Sequence, residues 1–195
     1  MTDPDYDTVL RAVGAALHNW SLIELQLSNL FSVISDPRDQ RKAHAVFAAV
    51  LSFDARLAIC DRLMDLEEAD ELEKEMWTKL SARISKYYRK RHELAHFTLN
   101  HGAQSPAIQP FYTVEKWAFD KVRYLSEEEI RERSRKFIEL AQALPWFGAQ
   151  AFQRRGPSQQ PLEPKPEEPP LVPRLRELAT QSLEERRQRA QEQGR

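Results

Sequence analysis

Cysteine, glycine and long apolar runs are all scarce in this chain of 195 residues, and each scarcity excludes something. The one cysteine, Cys60, cannot close an internal disulfide, and no cysteine cluster of metal-ligand spacing exists. No uninterrupted apolar run approaches the roughly 20 residues that a membrane span needs. The first residues, Met1 to Asp7, are acidic and polar, unlike the basic and then apolar start of a secretory leader. The expectation is a cytoplasmic protein with no membrane partner. Charge of one sign is lacking too: the formal net charge is −1, so no global basic field advertises nucleic acid. Any nucleic-acid site has to be a local patch. The hydrophobic share of 41% suffices for a core, and the length suits one domain with something added.

With only five glycines to punctuate it, the chain shows helical rather than alternating periodicity. Val9, Val13, Ala16, Trp20, Ile23, Leu27, Leu30 and Ile34 repeat at spacings of three and four. Leu10, Leu17, Leu22, Leu25 and Phe31 widen that stripe, so the helix is expected to be buried in a bundle or against a second subunit. Asp36-Pro37 reads as the cap and first residue of a second helix reaching about residue 51. Ser52 reads as the cap of a third stretch carrying Phe53, Leu57, Cys60 and Met64. Asp70 and Glu73 have capping-box spacing and open a helix over about 70 to 98, with the stripe Trp77, Leu80, Ile84, Tyr87, Arg91, Leu94, Thr98.

Residues 107 to 124 are rich in β-formers, with Glu115-Lys116 near a turn, and predict a short hairpin. Ser126 and Glu129 repeat the capping-box spacing before a last core helix ending at Pro145. Beyond Phe147 seven prolines fall between 157 and 173, the mark of an extended linker. Leu171, Leu175, Leu178 and Leu183 then keep roughly helical spacing in a charged segment. That segment reads as a frayed helix in a disordered tail, or as a short helix docking on a partner or on the domain. The expected architecture is all-α: a helical domain over 1–148 with a small β-hairpin insertion, followed by a Pro-rich, disordered tail over 149–195.

The chemistry concentrates between Lys86 and His96, where two motifs overlap and imply different proteins. His92-Glu93-Leu94-Ala95-His96 is an H-E-x-x-H string: two imidazoles four apart on a helix could share a zinc ion, with Glu93 as general base. Arg89, Lys90 and Arg91 precede it directly, and three cations oppose a divalent ion. A third ligand would have to come from His101, Glu115 or the Glu127–Glu129 run. The second motif runs from Arg91 to His96. Arg91 occupies an otherwise apolar stripe, where a guanidinium has to be paired or to face a cleft. Glu24, seven residues from both Leu17 and Phe31, is the candidate partner, with Trp20 one turn away.

Trp20-x-x-x-Glu24 in a first apolar helix, with Arg91-His92-Glu93-Leu94-Ala95-His96 closing a later one, resembles proteins of the HEPN superfamily. The resemblance covers about residues 5 to 147. It implies a helical bundle that forms a homodimer and brings two such motifs into one cleft. Many members are metal-independent endoribonucleases of toxin, defence or RNA-processing systems; others are inactive scaffolds or nucleotide-binding partners. By that likeness His96 would be the general acid/base toward an RNA 2′-hydroxyl, a role that suits an imidazole near neutral pH. Arg91 would hold the scissile phosphate, and His92 would bind phosphate or orient Arg91. Lys79, Arg83, Lys86 and Lys90 lie on one stripe and would track an RNA backbone, with Tyr87 and Tyr88 as stacking faces.

Two positions depart from the family pattern: His92 stands where asparagine is usual, and Phe97 where glycine is. Phe97 implies a helix continuing past His96, which would re-aim the imidazole. The expectation is therefore an RNA-cleaving or RNA-binding protein with no cofactor, no metal and room for a cognate protein partner. The alternative is a non-catalytic interaction module in which the same residues only order an interface. The zinc peptidase stands third.

Overall fold

A computed structural model describes residues 6–35, 39–99, 106–110, 124–154 and 167–193. Among them the helices are α1 (Tyr6–Ile34), α2 (Gln40–Ala49), α3 (Phe53–Leu66), α4 (Glu71–Ala95), α5 (Glu127–Arg154) and α6 (Leu171–Gln193). Three short strands, β1 (Phe97–Leu99), β2 (Ala107–Pro110) and β3 (Leu125–Ser126), form one antiparallel sheet in the order β1-β2-β3. No helix among the described residues is long and apolar enough to cross a membrane.

The chain divides into two compact units. The first holds residues 1–23 and 86–138: the start of α1, the last turns of α4, the sheet and the start of α5. The second holds residues 24–85 and 139–195: the rest of α1, α4 and α5 with α2, α3 and α6.

The stripe read from α1 is the buried one. From Val9 to Ile34 none of its eight residues exceeds 4% exposure, so a 3.6-residue period assigns them all to one face. Leu10 and Leu25 instead stay exposed, at 42% and 53%, so the helix is not apolar to its surroundings all round. Capping follows the side chains. Ala55 N donates to Ser52 Oγ (3.3 Å), and Glu73 N donates to Asp70 Oδ1 (2.7 Å). Glu73 returns its carboxylate not to Asp70 but to Arg154 (2.5 Å), so only half of that capping box closes. Helix α2 starts at Gln40 with Asp39 as its cap, accepting from Arg41 N (3.0 Å). Asp36 and Pro37, expected in that role, lie outside the described residues.

Three elements depart from expectation. Helix α4 stops at Ala95 rather than near 98, because Phe97–Leu99 pair with Ile108–Pro110, and an antiparallel ladder satisfies their backbone groups as a further turn would. β2 then pairs with β3, Ile108 opposite Leu125, so the expected hairpin belongs to a three-stranded sheet. The residues around Glu115-Lys116 lie outside the described residues. Second, α5 runs through Pro145 to Arg154. An internal proline costs about 3 kcal/mol, but Leu144 and Phe147 are wholly buried, and each contributes about 1.5–3 kcal/mol. Burial wins.

Third, the charged C-terminal segment is a helix over 171–193 whose first half is docked, the second of the two readings given for it, while the proline-rich stretch 155–166 lies outside the described residues. Leu171, Val172, Leu175 and Ala179 of α6 are buried in the second unit. A polar seam ties α6 to α4. Lys79 Nζ lies 2.9 Å from Glu75 Oε1 and donates to Ser182 Oγ (3.2 Å), and Arg186 Nη2 donates to Glu75 Oε2 (2.6 Å). Composition left both readings open because the charged positions of α6 face outward or into that seam, while every third or fourth residue is small or apolar. Elsewhere in the second unit, burial pushes the Cys60 thiol far up from its ordinary range, so it is an inert core group.

Two outcomes follow for α6. Leu175→Ala should destabilise the protein by about 2–4 kcal/mol in denaturant unfolding; an unchanged midpoint would mean that α6 contributes no packing. Glu75 should give the seam an acid limit. Burial of its carboxylate raises the pKa, but the Lys79 and Ser182 contacts and the Arg186 charge outweigh that, and the net shift is downward. A carboxylate depressed in the folded state stabilises above its unfolded pKa of about 4.3, and that stability drains away as pH falls through the folded value. Unfolding from pH 6 to pH 3 should therefore show an acid loss that Glu75→Gln flattens.

Candidate functional site

The last turns of α4 and the first turns of α5, both in the first unit, carry the candidate site. Ser126 and Glu129 close a full capping box at the head of α5: Glu129 N donates to Ser126 Oγ (3.3 Å), and Ser126 N donates to Glu129 Oε2 (2.9 Å). Ile130 and Phe137 then bury one face of α5, with Arg133 between them. Arg133 is buried at 6% exposure, and a guanidinium taken from water needs partners. Its Nη1 lies 2.7 Å from Glu93 Oε2 and donates to the Lys90 carbonyl (3.3 Å). Lys90 Nζ stands 3.9 Å from the other oxygen of Glu93.

On another side of α4 the rings form a ladder. Trp20, buried in α1, stacks on Tyr88 at 5.8 Å between centroids and meets the edge of Phe137 at 5.2 Å. Tyr88 meets His92 edge-on at 4.5 Å, and the His92 and His96 rings lie nearly parallel, 12° apart, at 6.0 Å. Residues 88, 92 and 96 are spaced by four, so the helix itself sets the repeat. His96 is exposed, and its backbone N–H closes the last turn on the His92 carbonyl (3.1 Å). Helix α4 thus ends directly before His96. Phe97, expected to prolong it, opens β1 instead.

The expected site residues do not all gather here. Arg91 and His92 are half-buried on α4, and the Arg91 Nε is buried with no hydrogen-bond partner among the described residues. Tyr87 sits edge-on to Phe137 at 6.0 Å. Lys86 and Lys90 line a cavity between α4 and α5. Glu24, half-buried, belongs to the second unit, whereas Arg91 and Trp20 belong to the first. Lys79 and Arg83 also belong to the second unit, and Lys79 is engaged by Glu75 and Ser182. Arg133 was not among the expected residues. The signal was there: it interrupts the α5 stripe between Ile130 and Phe137 as Arg91 interrupts that of α4.

As a metal site, the H-E-x-x-H string is poorly served. Glu93, which would have to activate a bound water, is held by Arg133. Among the described residues no group of three His, Cys, Asp or Glu side chains is placed to hold a metal ion. His101 and Glu115, two of the expected third ligands, lie outside the described residues. Compared with known proteins, the chain matches no family model, no curated protein and no solved structure.

The Glu93–Arg133 pair yields a stability prediction. Arg133→Met keeps most of the apolar stem but strands Glu93, and should cost about 2 kcal/mol in equilibrium unfolding. Adding Glu93→Leu should recover part of that loss, since removing both partners of a shielded pair is milder than removing one. Additive losses in the double variant would mean that the two side chains are not coupled.

Proposed function

We propose that this chain acts on RNA as a HEPN-like, metal-independent endoribonuclease in which Arg91 and His96 are the working pair and a second copy of the chain completes the cleft. The reading rests on the end of α4. There an exposed imidazole, His96, stands directly after the helix, parallel to a second imidazole, and the half-buried Arg91 keeps a buried Nε with no hydrogen-bond partner among the described residues. A buried guanidinium nitrogen without an acceptor calls for an oxyanion or water beside it, and phosphate oxygens match a guanidinium well.

In this reading His96 takes the proton from a ribose 2′-hydroxyl. The 2′-oxygen forms a bond to the neighbouring phosphorus and the bond from phosphorus to the 5′-oxygen breaks. The products are a 2′,3′-cyclic phosphate and a 5′-hydroxyl. His92 supplies the second imidazole and returns a proton to the departing oxygen. Arg91 holds the non-bridging oxygens, where charge builds up. Tyr88 and Trp20 brace His92 from behind.

The rival reading is a non-catalytic interaction module. The observation in its favour is that Glu93, Tyr88 and Trp20, all near the motif, are engaged in packing and ion pairing.

Incubating the full chain with single-stranded RNA in excess EDTA separates the two. Wild type should cleave, and His96→Ala should cleave about 10²–10⁴-fold more slowly. Fragments should end in cyclic phosphate. Absence of cleavage by a folded, dimeric wild type would overturn the nuclease and leave the interaction module.

A further inference from the structure

The arginine that shares an edge of α4 with the two imidazoles is Arg89. At about 100° per residue, three residues to His92 and seven to His96 leave it within about 60° of both around the helix. His96 still belongs to that edge, because its backbone N–H closes the last turn on His92. All three residues lie in the first unit. Arg89 is exposed, and among the described residues it takes part in no ion pair, hydrogen bond or ring contact.

Its charge belongs to a local surplus. In the first unit's part of α4, Lys86, Arg89, Lys90 and Arg91 stand with one carboxylate, Glu93, which is itself held by Arg133. Residues 127–138 of α5 bring four carboxylates and four cations, and residues 6–23 of α1 bring Asp7 and Arg11. Neither stretch offsets the surplus, and the three strands carry no charged side chain. The helix gains nothing from it alone. Lys86 and Arg89 are three residues apart, where like charges repel. The favourable end of the helix dipole reaches only the last turn, and Arg89 precedes that turn. A guanidinium so placed is relieved by an anion from outside the chain. The lysine stripe read from the sequence does not lie on this edge. Its first member, Lys79, belongs to the second unit and is engaged by Glu75 and Ser182, while Lys86 and Lys90 line the cavity beside α5.

We propose that Arg89 is a further substrate contact, holding a phosphate of an RNA strand next to the one on which His92 and His96 act. The strand then runs along the 89–92–96 edge of α4 rather than along the stripe of Lys79, Arg83, Lys86 and Lys90. Arg89 stands about 10.5 Å along the helix axis from His96, and helical side chains lean toward the helix start, which separates the two further. The positions therefore suit neighbouring phosphates rather than a single one, and the planar fork of a guanidinium matches phosphate oxygens. The inference rests on the RNA reading above and adds to it a residue with no part in the bond-breaking step.

Fluorescence anisotropy tests it on the full chain in a His96→Ala background, with a labelled single-stranded oligoribonucleotide that is then not consumed. Adding Arg89→Gln should weaken binding about tenfold, the loss of one charge-assisted contact. The slope of log affinity against log salt should flatten by about 0.7, as for one phosphate of a single strand. Arg89→Lys should recover part of the affinity, since it keeps the charge without the fork. Arg11→Gln, which removes an exposed arginine already paired with Asp7, should bind like its parent. Thermal midpoints should not move, since both arginines reach solvent. A dinucleoside monophosphate carries the scissile phosphate alone, so its affinity should not respond to Arg89→Gln. An Arg89→Gln chain that binds the oligomer like its parent would overturn the proposal, whether or not wild type cleaves. So would an equal loss on the dinucleotide. RNA binding through Arg89 in a protein whose wild type cleaves nothing would remove the nuclease reading and leave the strand contact standing. No RNA binding by the folded parent would remove both.

Discussion

The buried guanidinium of Arg133 is the constraint on which the first unit's site depends. It enters an apolar face of α5, and Glu93 and the Lys90 carbonyl on α4 answer it. A charge in that position is stable only where its partners are held at hydrogen-bond distance. It therefore sets which way the last turns of α4 face. Glu93 points toward α5, and the helical repeat then places Tyr88, His92 and His96 on another side, with Lys86, Tyr87 and Lys90 toward the cavity. Two features with different chemistry follow from one ion pair. The same pair withdraws Glu93 from the role that an H-E-x-x-H string would ask of it.

In the second unit a polar contact of the same kind does a different job. Glu75 is buried, and Lys79 and Arg186 close on it from α4 and α6. The pair lets a highly charged helix dock through a narrow line of Leu171, Val172, Leu175 and Ala179. Apolar burial supplies the attraction and the ion pair sets the register, since only one rotation of α6 presents Arg186 and Ser182 to Glu75 and Lys79. Beyond residue 183 every described side chain of α6 is exposed, so docking rests on its first half.

Much of the helical content was legible in the sequence. The eight-residue stripe of α1, the Ser52, Asp70 and Ser126 caps and the core face of α4 through Leu94 follow from spacing and side-chain chemistry. The Arg91-to-His96 segment was legible as the densest chemistry in the chain, by residue type. Harder to see were the points where long-range packing outweighs local preference. Phe97–Leu99 leave helical periodicity because a strand ten residues away pairs with them. Pro145 sits inside a helix because buried side chains on both sides outweigh its cost. Arg133 interrupts the apolar stripe between Ile130 and Phe137, but the arginines around it share its chemistry, and only the placed neighbours show it to be the buried one.

By itself, the sequence determined the things that depend on neighbours three or four residues apart: a mostly helical chain, the caps that start its helices, the buried faces, and two histidines one helical turn apart. These are short-range properties, because helical hydrogen bonds and side-chain stripes repeat within a single turn. Only the tertiary structure decided which charges are paired with which. Arg133 with Glu93, Lys79 and Arg186 with Glu75, and the end of α4 at the sheet all join residues far apart in the chain. Their energetics depend on burial and on distances of a few ångströms, and no spacing along a sequence encodes those.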